Sequence, residues 1–210
     1  MSIQIATLKP LFAFVAGLAV SGIVGFILLS EEQDHTDDTH PIGTSNGEEV
    51  HVHSDFLFYI GDERIRLTDD EFQSTAADRK HNDLHLHDGN DEVLHRHADD
   101  VTFIDFIDSL GFTLTNDCLT MTNGTKYCTD ESKQLMLIVK GELVPDIESY
   151  IFAEEDEILL YYGDPANPRI GEYADSITKD SCIYSGTCPE RGVPPPENCG
   201  LTCDTADLPE

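Results

Sequence analysis

The nineteen residues from Leu11 to Leu29 (LFAFVAGLAVSGIVGFILL) carry no charge, enough for about 28 Å of helix at ~1.5 Å per residue. That length is close to the hydrocarbon thickness of a bilayer. Lys9 stands before the run and Glu31, Glu32 and Asp34 follow it. With the basic end held inside, the expected organisation is a cytoplasmic N-terminus at 1–10 and a transmembrane signal anchor at 11–30, with the remainder outside the cell membrane. Ala19-Val20-Ser21 has the small-x-small form of a cleavage site, so a removed signal peptide is the competing reading. The apolar run continues well past it, which favours the anchor. Gly17, Ser21 and Gly25 recur at four-residue spacing and offer a close-approach face for a homo-oligomer. Residues 31–50 are polar and acidic and read as a flexible linker; His35 and His40 lie in it as ordinary polar residues.

At His51 the pattern changes to period two. Val52, Ser54, Phe56, Phe58 and Ile60 alternate with His51, His53 and Asp55, predicting a strand with one buried face. A tight turn at Gly61-Asp62 pairs 60 with 63, which sets Phe58 opposite Ile65 and Phe56 opposite Leu67. A second hairpin runs from Asp83 to His97. A three-residue loop, Gly89-Asn90-Asp91, pairs 88 with 92, so Leu86 meets Leu94 and His85 meets His95. His87 and His97 then flank that pair on the same face. A two-residue loop would scatter Leu and His onto both faces.

Thr102 and Asp105 form a capping box, with Val101 and Phe106 as a hydrophobic staple. Phe103, Phe106, Ile107 and Leu110 then follow helical spacing up to Gly111. Thr113–Cys118 and Met121–Cys128 predict a hairpin around Asn123-Gly124, which brings Cys118 opposite Cys128 if its loop holds three residues. Asn123-Gly124-Thr125 also matches a glycosylation sequon, although a β-turn accounts for it equally well. Strand signals follow at 134–139, 143–145, 151–152 and 158–162, with a turn at Lys140-Gly141. Ile170, Tyr173, Ala174 and Ile177 mark one face of a short helix.

The expected architecture is therefore α+β and β-rich, with hairpins and one main helix, after an N-terminal transmembrane helix. An extracytoplasmic His-rich domain spans 51–163, and a short helix with a Cys/Pro-rich tail spans 164–210. The stretch IVKGELVPDIESYIFAEEDEILLYYGD resembles the last strands of β-grasp domains, in which a short connection and an acidic turn precede the final strand. The turn usually carries a Gly where this chain has Glu155.

Charge narrows the function. The chain has 12 Lys+Arg against 41 Asp+Glu, a formal −29, and Lys9 is the one charged side chain in its first thirty residues. The outer portion is thus strongly acidic and has no basic stripe, which excludes nucleic acid and anionic lipid as partners.

Histidine supplies the candidate chemistry. Nine His in 210 residues predict roughly 0.4 His-x-His pairs by chance, and three occur, at 51/53, 85/87 and 95/97. On a strand this spacing puts both rings on one side, as a metal requires of a β scaffold. The expected ligands are His85, His87, His95 and His97, joined by His51 and His53 if the hairpins are adjacent. Such imidazole sets suit Cu or Zn, and also Ni, whereas Mg and Ca prefer oxygen. Asp55, Asp83, Asp88 and Asp99 are available as further ligands or as acceptors that orient the rings. His81 lacks a His-x-His partner. The alternative is a polar or pH-responsive face without metal.

Six Cys (118, 128, 182, 188, 199 and 203) indicate an oxidising compartment and structural disulfides, with fifteen possible connectivities. No CxxC occurs; Cys199 and Cys203 are CxxxC.

The segments HVHSDFLFYIGDERI, LHLHDGNDEVLHRHADDVTFIDFIDSLG and CIYSGTCPERGVPPPENC together resemble a group of membrane-anchored, His-rich proteins of bacteria and archaea. Some of these carry the label protein-disulfide isomerase. The resemblance implies a shared architecture and no particular activity. The expected function is a single-pass, membrane-anchored extracytoplasmic protein that binds Cu or Zn, and no residue is singled out as catalytic. The alternatives are an interaction module without metal, a thiol–disulfide oxidoreductase or isomerase, and a zinc hydrolase. This last would need three ligands and an open position.

Overall fold

The computed structural model describes residues 44–45, 48–75 and 77–196. The chain divides into two units, 1–38 and 39–210, and every described residue belongs to the second. The apolar run at 11–29, Gly17, Ser21 and Gly25, His35 and His40, and Cys199 and Cys203 lie outside the described residues. Among the described residues no helix is long and apolar enough to cross a membrane.

The fold is α+β. A small ladder, β1 (Thr44–Ser45) with β2 (Glu48–Glu49), is followed by β3 (Val52–Ile60), β4 (Glu63–Arg64), β5 (Leu84–His85) and β6 (Val93–Arg96). Then come α1 (Phe103–Ser109), β7 (Thr113–Leu114), β8 (Cys118–Thr120) and β9 (Lys126–Cys128). The remaining elements are β10 (Gln134–Val139), β11 (Glu142–Leu143), β12 (Glu157–Gly163), α2 (Ile170–Asp175) and α3 (Ser181–Tyr184).

The main sheet has the order β11-β10-β12-β3-β6-β5. Its centre is a parallel pair, β12 with β3, in which Leu159 aligns with Leu57 and Leu160 with Phe58. All its other neighbours are antiparallel. At nine residues, β3 is long enough to hold two partners in line on one edge: β6 along 52–55 and β4 at 59–60. The turn at Gly61 (φ 60°) pairs Ile60 with Glu63 as the spacing predicts, and the Ile65 N–H donates to the Phe58 carbonyl at 2.8 Å. The strand pair ends there. Leu67 does not reach Phe56, because its N–H turns to the Asp91 carboxylate (3.0 Å) while the Phe56 N–H donates to Glu92 O.

The even-numbered side of β3 faces the main core. Phe56 and Phe58 pack with Leu94, Leu137, Leu160 and the α1 residues Phe103, Phe106 and Ile107, all buried. Helix α1 starts with the expected capping box, Thr102 with Asp105, and Gly111 (φ 78°) follows its end. Loop 122–124 holds three residues, with Gly124 at φ 81°, and Cys118 pairs with Cys128 both in register and as a disulfide. Lys140-Gly141 turns β10 into β11. Residues 151–152, expected as strand, are not one. Phe152 is buried, and its carbonyl accepts from Arg96 Nε (3.0 Å) rather than from a neighbouring strand.

The odd-numbered side of β3 was expected to be open, and instead it too is covered. Leu57, Leu159 and Tyr161 pack with Tyr173 and Ile177 of the segment after β12, and Tyr59 stacks on Tyr173 with ring centroids 4.1 Å apart. Farther along the same side, Asp55 anchors α3. Its Oδ1 accepts from the N–H groups of Asp180 (2.7 Å) and Ser181 (3.0 Å), and its Oδ2 accepts from the Ser181 hydroxyl. Cys182 and Cys188 form a disulfide just beyond this anchor, a pairing that the sequence left open.

Replacing Asp55 with Ala leaves two backbone donors without their charged acceptor. The expected cost is about 2–3 kcal/mol, read as a lower urea midpoint with far-UV circular dichroism preserved. An unchanged midpoint would show that α3 does not depend on this contact.

Candidate metal centre

The histidine face is the odd-numbered side of β3 continued across the sheet. His53 pairs with His95 in the β3–β6 ladder, and His95 pairs with His85 in the β5–β6 ladder. One row of three imidazoles therefore runs across three adjacent strands, with His95 in the middle. Steps of two residues along the strands keep side chains on one face. They place His51 and His97 together on one side of the row, with centroids 4.5 Å apart, and His87 on the other side, 4.2 Å from His95. All six predicted histidines thus share one patch. His51 is exposed; His53, His85, His87, His95 and His97 are buried, each 2% exposed or less.

The His85–His95 register is the one expected from a three-residue loop, but the chain reaches it differently. Asp88 (φ 56°) and Gly89 (φ 70°) both adopt the left-handed conformation, and the Asn90 N–H donates to the His87 carbonyl (3.0 Å). This is the geometry of a type I′ turn centred on Asp88-Gly89. Asp91 is drawn away to Arg66 Nε (2.8 Å) and the Leu67 N–H, so the ladder does not continue to the loop.

Two sets of three ligands emerge: His85, His87 and His95, and His51, His95 and His97. Within each set the ligand nitrogens lie within 4.8 Å of one another. His53 touches His51 and His95 (4.5 and 4.7 Å between centroids) but belongs to neither set. Its Nδ1 lies 2.9 Å from the Ser185 hydroxyl, and that hydroxyl donates to Glu154. A hydroxyl has one proton, so with Glu154 as its acceptor it receives the His53 Nδ1–H.

His87 has the clearest ligand geometry. Its Nδ1 lies 2.8 Å from Asp88 Oδ2, and an ionised carboxylate only accepts, so the proton resides on Nδ1. The lone pair is therefore on Nε2, a buried atom without a hydrogen-bond partner. Leaving such an acceptor unsatisfied costs about 1–3 kcal/mol. A carboxylate behind a ligating imidazole also fixes the ring and raises its basicity.

The other expected carboxylates do different work. Asp55 holds α3, and burial pushes its carboxyl up from the usual range despite the Ser181 and Asp180 donors. Asp99 lies 3.8 Å from the Arg96 guanidinium. His81 accepts the Asp83 N–H at Nδ1 (3.0 Å), a local turn contact apart from the patch. Tyr184, Ser185 and Glu154 carry no signal in the sequence, yet they close the face. The Tyr184 ring stands 5.5 Å from His95 and 5.7 Å from His53, and its hydroxyl accepts from Asn90 Nδ2 (2.9 Å).

The electrostatics favour a neutral His95. Burial, then the neighbouring His87, His53, His85 and His97, hold His95 well below the ordinary imidazole range. The unfolded chain titrates this group near 6.5. Between that value and the lower folded one, the unfolded state takes up a proton that the folded state refuses. The contribution is present in full above pH ~6.5 and is lost as pH falls toward the folded value, at up to about 1.4 kcal/mol per unit. Metal-stripped protein is expected to lose stability between pH 7.5 and 5.5 in urea titrations, with His95→Leu flattening the slope. A wild-type curve flat over that window would contradict the burial argument.

No known protein family, curated protein or solved structure matches this chain.

Proposed function

We propose that the protein is a membrane-anchored, extracytoplasmic binder of a transition-metal ion, Cu²⁺ or Zn²⁺, held by the histidine face of its sheet. The single observation that carries this reading is the buried, unpartnered Nε2 of His87, whose ring is oriented by Asp88 within a set of three imidazoles. A nitrogen-only donor set suits these ions and not Mg²⁺ or Ca²⁺. Three imidazoles leave a fourth tetrahedral position for water or an exchanging ligand. The strong negative charge of the chain supports the same reading by raising the local cation concentration. The apolar run at 11–29 supplies the anchor, and its basic flank favours an N-in orientation.

The scaffold fits a β-grasp-like description. A first hairpin, a helix and a second hairpin surround a central parallel pair made of the first and last long strands. Glu155, the departure from that pattern, takes the positive φ (56°) that a Gly would adopt more readily.

The test is equilibrium dialysis of the untagged full chain in detergent, after chelator treatment, against Zn²⁺ and Cu²⁺. At least one ion per chain is expected to survive desalting, with affinity falling as the solution is acidified. Asp88→Asn, a change at a half-exposed position, should weaken binding by about 10- to 100-fold. His87→Ala should weaken it further. Retention below a few tenths of an ion for both metals, or the same number of ions held with the same affinity in both variants, would remove this function.

A further inference from the structure

We infer that the histidine face holds two metal ions side by side, with His95 shared between them. The first lies on His85, His87 and His95, and the second on His51, His95 and His97. This rests on the metal-binding reading above and specifies its form.

The argument begins with the ladder. Among the described residues, His95 is the one histidine with a histidine directly opposite it on both neighbouring strands, His53 on β3 and His85 on β5. It occupies the centre of the patch, and the two ligand sets have this residue in common and no other. The four remaining ligands divide by position. His51, just before β3, and His97, just after β6, stack on each other, while His85 in β5 and His87 just beyond it have ring centroids 5.7 Å apart. Bonds of ~2.0–2.1 Å from metal to nitrogen require all the ligand atoms of one ion to crowd together. Among the described residues the crowded groups are the two threes, not a four or a five. One ion would therefore satisfy one set and leave a second preformed set of imidazoles beside it.

An imidazole has two ring nitrogens on different edges. A ring placed between two ligand sets can give one nitrogen to each. When the second nitrogen coordinates, its N–H proton passes to solvent, and the resulting imidazolate links the two divalent ions. That negative charge lowers the repulsion between them. Each ion has three nitrogen ligands and one open position. The carboxylates near the patch are outside the two sets: Asp88 orients His87, and Glu154 accepts from Ser185 at the edge nearest His53.

Copper(II) is the probe, because its unpaired electron reports on the bridge. The untagged full chain in detergent is stripped with chelator, loaded with excess Cu²⁺, desalted, and assayed for copper per chain and for integrated electron paramagnetic resonance intensity. Two ions per chain are expected, with an intensity well below that of two independent spins because the shared ring couples them. His87→Ala and His97→Ala are each expected to retain one ion at full single-spin intensity. Buried substitutions can disturb folding, so the wild-type count and intensity decide the matter without them. Saturation at one ion per chain would overturn the paired arrangement and leave single-ion binding standing. Two ions at full, uncoupled intensity would overturn the sharing of His95. No retained copper or zinc would remove the underlying metal-binding function as well.

Discussion

The alternation of side chains along β3 is the constraint on which the rest of the molecule depends. Because successive residues face opposite ways, Phe56 and Phe58 are committed to the main core, and His51, His53 and Asp55 to the opposite face. A shift of one residue in pairing with β6 would send the imidazoles into the Phe103–Phe106 cluster and the phenylalanines out of it. The hydrophobic side therefore holds the register, and the register in turn aligns His53, His95 and His85. The candidate site is a consequence of core packing on the other side of the same sheet.

That face becomes a site because it is covered. Residues of α2, α3 and the connection between them cover the odd-numbered side of β3, with Tyr173 and Ile177 at one end and Tyr184 at the other. Exposed imidazoles would be hydrated and would titrate near their ordinary value. Under this cover burial keeps His95 neutral, which is the form a metal ion needs. Asp55 connects the two halves of this arrangement. It lies in the strand that presents His53 and accepts the backbone hydrogen bonds that seat α3.

Much of the local structure was legible in the chain. The Thr102–Asp105 cap, the Gly61, Gly124 and Gly141 turns, and the Cys118–Cys128 pairing all follow from short-range rules of capping and hairpin register. The convergence of His85, His87, His95 and His97 was legible for the same reason, since a period of two and a hairpin loop length suffice to superpose their two His-x-His pairs, whereas His51 and His53 join them only because β6 pairs with β3. What escaped the sequence was the position of the Asp88-Gly89 turn, where Asp91 leaves the hairpin for Arg64 and Arg66. The strand signal at 151–152 also failed, because an arginine side chain from β6 takes the Phe152 carbonyl. In each case a long-range polar contact outcompeted a local preference.

The sequence by itself determined which residues can share a face, because backbone geometry makes side-chain direction periodic over a few residues. It also determined the chemistry of that face, since a nitrogen-only donor set follows from residue type. The tertiary structure alone decided that the face is buried, that His95 stands at its centre with a neighbour on both flanks, and that His53 is engaged by Ser185. Those outcomes depend on segments far apart in the chain meeting in space. Their contacts are set by the packing of the whole domain and leave no periodic mark at any one place in the sequence.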